Sequence, residues 1–243
     1  MHNAVCSEMI KIRKNKMAWF GAILVIVLPM LLILKSLFLD RQRGQYAEWF
    51  QIVLLVHTLV LPIASGFVIT SMVQKEYQDK TIRNILTAPT SRNHFVTAKL
   101  LVWLLWYLVT DFLAETIVFF GFSILFPMEF TSENIQMTFT LFTQASLFSF
   151  AAMTPVLWIT FKQKALFYPS ILTAMGFTVL ELAGRQISEE LLLPASICPW
   201  TAVSLAGMVS TNSVYFAICI ASVFICCVLG ILAALREFQG QDQ

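Results

Sequence analysis

Apolar residues in this chain fall into long runs, and that clustering constrains the fold more than any other feature. A helix needs about 20 largely apolar residues to cross the hydrocarbon core of a bilayer. Six stretches qualify: 17–39, 51–73, 97–126, 138–161, 165–183 and 214–235. If the polar end of the fifth disqualifies it, the count is five. Composition points the same way. Of 243 residues, 58% are hydrophobic and 12% are charged, against about 25% charged in soluble domains. Backbone in lipid must satisfy its own hydrogen bonds, and no strand alternation argues for a barrel. The expectation is an all-α polytopic membrane protein with six transmembrane helices. An interfacial amphipathic helix precedes the first, and a short outer re-entrant or interfacial segment precedes the last.

The basic flank KIRKNK before the first run resembles a signal-peptide start, but the apolar region is too long and no small-residue cleavage site follows Lys35. It reads as a retained anchor. Twelve of the sixteen Lys and Arg residues fall in the N-terminal flank, between runs two and three, between runs four and five, and at the C-terminal end. Lys35, Arg41, Arg43 and Arg185 fall on the other side, among most of the acids. With six spans, the positive-inside rule places both termini in the cytoplasm.

A net charge of +2 gives no support for nucleic-acid binding. The five cysteines form no CxxC pair and read as small core residues. His2, His57 and His94 are scattered, and His57 reads as a hydrogen-bonded packing residue. No GxxxxGK[ST] phosphate loop occurs, so any ATP is bound by another chain. No HExxH or GxSxG supports an enzyme, and the Glu189–Glu190 pair lacks the arginine and histidines of membrane proteases. No catalytic residue, bound cofactor or metal site is expected.

Residues 2–16 read as the interfacial helix, with Val5, Met9 and Ile12 on one face and Glu8 and Lys11 largely off it. Residues 75–87 read as a charged helix with an apolar stripe of Tyr77, Ile82, Ile85 and Leu86. Glu76 and Lys80, and Asp79 and Arg83, are spaced as i, i+4 pairs with the acid first. Pro89 stops this helix, and Thr90 or Ser91 can cap the next. Two readings stand, docking onto a partner or a solvated connector.

Asp111 and Glu115 lie within the third run, one helical turn apart. Fourteen residues separate Thr97 from Asp111, about 21 Å of helix. Acids at that depth face a bundle interior or a water-filled cavity. They form either a polar patch in a substrate route or a structural pair. No basic residue is expected at matching depth, so protonation of at least one is anticipated. Pro29, Pro62 and Pro155 should kink or open their helices. The segment 184–213 is too apolar for a plain loop. It reads as a short helix folded back or lying flat, with Trp200 an interfacial anchor.

The run SEMIKIRKNK and the segment EYQDKTIRNILTAPTSRNHFVTAKL together resemble the permease subunits of ATP-binding cassette transporters of the second, drug-exporter-like class (ABC-2 type). The similarity is greatest to the small permeases of bacitracin resistance and lantibiotic immunity. Its motif residues are Glu76, Lys80, Thr81, Ile82, Leu86, Pro89, Ser91, Arg92 and Lys99. The resemblance implies one permease domain over 1–243, with a coupling helix whose ATPase-facing residues are Glu76, Asp79, Lys80, Thr81, Ile82, Arg83 and Leu86. Pro89, Ser91 and Arg92 would form the turn behind it. It also implies two copies of an ATPase subunit that binds ATP and Mg, and a second permease, identical or homologous. The substrate would be an amphipathic peptide or lipid-linked guest. A non-transporting sensor or assembly subunit is the alternative, and a secondary carrier is disfavoured by the lack of paired repeats.

Overall fold

The computed structural model describes residues 2–39, 45–82 and 92–240. The short α1 (His2–Arg13) runs into α2 (Lys16–Phe38) through Asn15, whose side chain accepts from the Met17 N–H at 3.2 Å and caps the helix. Then come α3 (Tyr46–Gln78) and α4 (Arg92–Leu125), each more than thirty residues long. α5 (Ser132–Met153) and α6 (Pro155–Gln163) form a nearly continuous span broken at Thr154, because Pro155 supplies no N–H. Pro29 and Pro62, by contrast, sit inside unbroken helices. α7 (Tyr168–Ala183) follows, then a 3-10 turn (Glu189–Leu191), α8 (Leu192–Ile197), α9 (Pro199–Ala206) and α10 (Val214–Gln239).

The central element is α3. It packs on α2, α4, α5, α6 and α7. Leu61, Val68, Ile69 and Val73 of α3 meet Val102, Trp103 and Tyr107 of α4, and Phe150, Leu157 and Phe161 of α5 and α6. A second cluster, at the α3 start, stacks Tyr46 on Phe122 with ring centres 4.1 Å apart and includes Phe50 and Phe142. Small residues bring backbones together elsewhere. Gly230 of α10 lies against Thr154 and Pro155, and Gly184, just past α7, lies against the Thr201 carbonyl. Close approach through small residues is a usual way for helices to associate in lipid. α2 and α10 are far less buried than α3, and each carries a broad apolar surface.

Five helices in the described residues are long and apolar enough to cross a membrane: Lys16–Phe38, Tyr46–Gln78, Arg92–Leu125, Ser132–Gln163 and Val214–Gln239. The fifth candidate span, 165–183, holds a helix of 16 residues, about 24 Å long, and falls short of the crossing length. Pro169 fixes its start, and at its end the chain turns where Gly184 meets Thr201. The count corrects the expected topology. An odd number of crossings places the termini on opposite membrane faces, so the assignment of both to the cytoplasm fails. That assignment rested on an even number of spans. Trp200 stacks on Phe177 at 4.1 Å and donates to the Ala152 carbonyl at 3.0 Å.

A Cβ at position 230 would lie 2.7 Å from the Pro155 nitrogen, whereas one at position 176 meets nothing within 4 Å. Gly230→Ala should therefore destabilise the bundle by about 1–3 kcal/mol, read as a lower unfolding midpoint in detergent. Gly176→Ala should not lower it. Equal midpoints for the two variants would contradict the close α6–α10 contact.

Candidate functional site

Two polar constellations lie on α3 and α4, one near the end of α3 and one deep within the bundle.

The first is ionic. Lys99, near the start of α4, is fully buried. Its Nζ donates to Glu8 of α1 at 2.8 Å, to Glu76 of α3 at 3.3 Å and to the Met72 carbonyl at 3.1 Å. Lys11, half exposed, also bridges both acids, at 2.8 Å to Glu8 and 2.6 Å to Glu76. Two lysines thus balance two buried carboxylates. Burial alone would lower the Lys11 pKa, but its bonds to Glu76 and Glu8 outweigh this and hold it above the usual lysine value. A polar chain continues the attachment: Lys75 donates to Asn15 at 3.0 Å, and Asn15 donates to Ser71 at 2.7 Å. These bonds fix α1 across the ends of α3 and α4. Glu8 is therefore inside the protein rather than on an outer face of α1.

The motif residues around Glu76 divide. Glu76 is buried, and the Thr81 hydroxyl donates to its carboxylate. The i, i+4 pairing of Glu76 with Lys80 does not form on one helix. α3 ends at Gln78, the Asp79 N–H bonds back to the Lys75 carbonyl at 2.9 Å, and Lys80 turns left-handed at φ 55°. Asp79 and Lys80 are exposed at this turn, while Ile82 is buried in the main core. Arg92 opens α4 and donates to the Gln239 carbonyl at 2.6 Å. Arg83, Leu86, Pro89 and Ser91 lie outside the described residues.

The second constellation surrounds Asp111. Its Oδ1 lies 2.8 Å from His57 Nε2 on α3, and it accepts from the Ser146 hydroxyl on α5 at 2.5 Å. His57 Nε2 is also 3.2 Å from Ser146 Oγ, and the Tyr107 hydroxyl donates to the Ser146 carbonyl at 2.9 Å. Glu115 is one turn further along α4, and Thr143 donates to it at 3.5 Å. Glu181 of α7 is buried and accepts from Ser149 at 3.1 Å. Four helices thus share a buried polar seam, in which acids are held by hydroxyls and one imidazole.

This corrects the expectation that no basic residue matches Asp111 in depth. His57 lies twenty-one residues before the end of α3, and Asp111 nineteen residues after the start of α4. Two helices joined by a short connection run antiparallel, so counting inward from that connection would have paired them. Glu181, near the polar end of its run, lies in this seam and not among solvent-facing acids. Among the described residues, no group of three or more His, Cys, Asp or Glu is placed to hold a metal.

Two expectations follow. Lys99→Met leaves Glu8 and Glu76 with Lys11 alone and should destabilise by about 3–5 kcal/mol. Hydrogen exchange over α1 should accelerate, and adding Glu8→Gln should recover part of the loss. At the seam, His57→Leu should be more damaging than His57→Leu with Asp111→Leu, because the single change strands a buried carboxylate. A thermal-stability cycle should give a coupling of about 0.5–3 kcal/mol, and additivity would show that the pair is not coupled.

The chain is similar to a known group over this whole region. Residues 4–181 match the family model described as ABC-2 family transporter protein. No curated protein matches the chain. The matched stretch covers α1 to nearly the end of α7 and includes both constellations. At about three quarters of the 243 residues, the match shows that this chain, an all-α membrane protein, belongs to the ABC-2 family of transporter proteins.

Proposed function

We propose that the chain is the permease subunit of an ATP-driven exporter and that it engages a separate ATPase through the turn following α3. The observation that carries this reading is the exposed pair Asp79–Lys80 standing directly beyond a buried ionic lock. A docking surface needs charges accessible to a partner, and a coupling element needs a stiff attachment to the bundle. α3 supplies the attachment, since it is buried along much of its length and packs on most other helices.

In this reading the partner ATPase binds ATP and Mg, and two copies pair with two permeases. The second permease is another copy of this chain or a homologous sister, seated on the apolar faces of α2 and α10. ATP-driven closure of the ATPase pair moves the turn after α3, and α3 and α4 carry the displacement into the bundle. The buried seam of His57, Asp111, Ser146 and Glu115 offers polar groups to a guest passing along the helices. In this reading the guest is an amphipathic peptide antibiotic of the bacitracin or lantibiotic type; the resemblance across residues 76–99 supports the permease class rather than the substrate. The chain makes and breaks no covalent bond in this mechanism.

The lock changes which residues test the idea. Reversal of Glu76 would break buried ion pairs, so it cannot separate docking from folding. The double variant Asp79→Lys with Lys80→Glu keeps the net charge and alters exposed groups only. It should reduce permease-stimulated ATP hydrolysis on the order of tenfold, with unchanged yield and unfolding midpoint. Full stimulation together with normal co-purification of the ATPase would refute docking at this turn.

A further inference from the structure

A cavity of about 310 Å³ lies between α3, α5, the end of α7 and α9, away from the ionic lock. Its volume is at the lower end of small-ligand pockets, about 300–1,000 Å³. Three of its lining side chains each carry a buried polar atom with no hydrogen-bond partner: Gln144 Nε2, Arg185 Nε and Ser204 Oγ. They come from three different elements, α5, the residue pair after α7, and α9. Such groups are few in native proteins, and three around one cavity need a common explanation.

The guanidinium is held in place. Arg185 Nη2 donates to Thr58 Oγ1 at 3.0 Å, and Thr58 passes its own proton to the Leu54 carbonyl at 2.8 Å. This fixes the plane of Arg185 while Nε stays uncommitted. Arginine has donors only, so whatever satisfies Nε must bring acceptor oxygens. No carboxylate among the described residues forms an ion pair with Arg185. Glu181, one turn earlier, gives one oxygen to Ser149, and its other oxygen has no partner. Arg185 is partly buried and feels the charge of Glu181 without forming an ion pair with it, so its guanidinium is only partly compensated. An anionic group with several oxygens answers that charge and matches the donors of Gln144 and Ser204.

Apart from Gln51 and Gln186, the remaining wall is largely apolar, from Ile52, Leu55, Leu141 and Val203, with Met208 exposed. A small hydrated anion gains nothing from such a wall, whereas an anion attached to hydrocarbon gains from both parts. We infer that this cavity is a binding site for the phosphate of an anionic membrane lipid, with Arg185 as its principal ligand and Gln144 and Ser204 as secondary donors. The site stands apart from ATPase docking and does not depend on it.

The test uses the full chain in nanodiscs of phosphatidylcholine containing increasing phosphatidylglycerol, followed by native mass spectrometry of the retained lipid. Inorganic phosphate is titrated separately. Phosphatidylglycerol should be retained in preference to phosphatidylcholine, and Arg185→Gln should weaken retention about tenfold. Gln144→Leu with Ser204→Ala should weaken it about threefold or more, and this pair decides the matter if Arg185→Gln elutes as aggregate. Glu181→Gln should preserve or strengthen retention. Equal retention of the two lipids, or no effect of the site variants, would overturn the proposal. So would Glu181→Gln weakening retention as much as Arg185→Gln, because Arg185 would then be the internal partner of Glu181. Binding of inorganic phosphate without lipid preference would overturn the lipid as occupant and leave a free-anion site.

Discussion

The structure depends on the burial of Lys99. An ammonium group removed from water is tolerated only with counter-charges and filled hydrogen bonds. Lys99 has three acceptors, one from α1 and two from α3. Its own helix is α4, so a single side chain fixes the relative positions of three elements. The acids need Lys99 equally. Glu8 would otherwise keep α1 in water or at the lipid headgroups, where its apolar stripe alone would hold it. With the pair in place, α1 becomes part of the protein, and Ile12 joins the main core. The turn after α3 starts from this fixed point, which is why Asp79 and Lys80 project from a rigid base.

The seam around Asp111 follows a different rule. It contains more acidic than basic groups, so it cannot be neutralised by pairing alone. Hydroxyls from α5 take up the acids, with Ser146 on Asp111, Thr143 on Glu115 and Ser149 on Glu181. Serine and threonine can accept or donate, and a network built on them adjusts to either protonation state of its acids. α5 therefore supplies adaptable partners at successive turns of one face, and its polar residues belong to the seam rather than to a weak span.

Much of the fold was legible because hydrophobic run length is a direct consequence of bilayer thickness. Runs 17–39 and 214–235 recur nearly unchanged as α2 and α10. The fifth run failed because apolar content does not set helix length; Pro169 at one end and the contact of Gly184 with Thr201 at the other limit α7 to 16 residues. With that helix the even span count and the placement of both termini also fell. The site was less legible. Spacing along a sequence finds i, i+4 pairs, and it suggested Glu76 with Lys80. The left-handed Lys80 removes that pair, and the true partners lie 65 and 23 residues away. His57 and Asp111 are separated by 54 residues and required a depth argument across two antiparallel helices.

The two constellations share the same helices, and this shapes how a signal could travel. The lock joins α3 and α4 near residues 76 and 99, and the His57–Asp111 bond joins them again deeper in the bundle. Between these ties the helices pack through Val68, Ile69, Val102 and Trp103, and the Trp103 indole donates to the Ser65 carbonyl at 3.1 Å. Two helices tied at two levels and packed between them move as one body over that stretch, because a close-packed interior resists local deformation. A displacement applied at the turn after α3 therefore reaches the seam as a rigid shift of the α3–α4 pair. The hydroxyls that would have to re-form their bonds are on α5, the neighbouring element. The boundary between α3–α4 and α5 is accordingly where relative motion would change the polar surroundings of Asp111, and it lies where the carboxylates and hydroxyls of the seam meet.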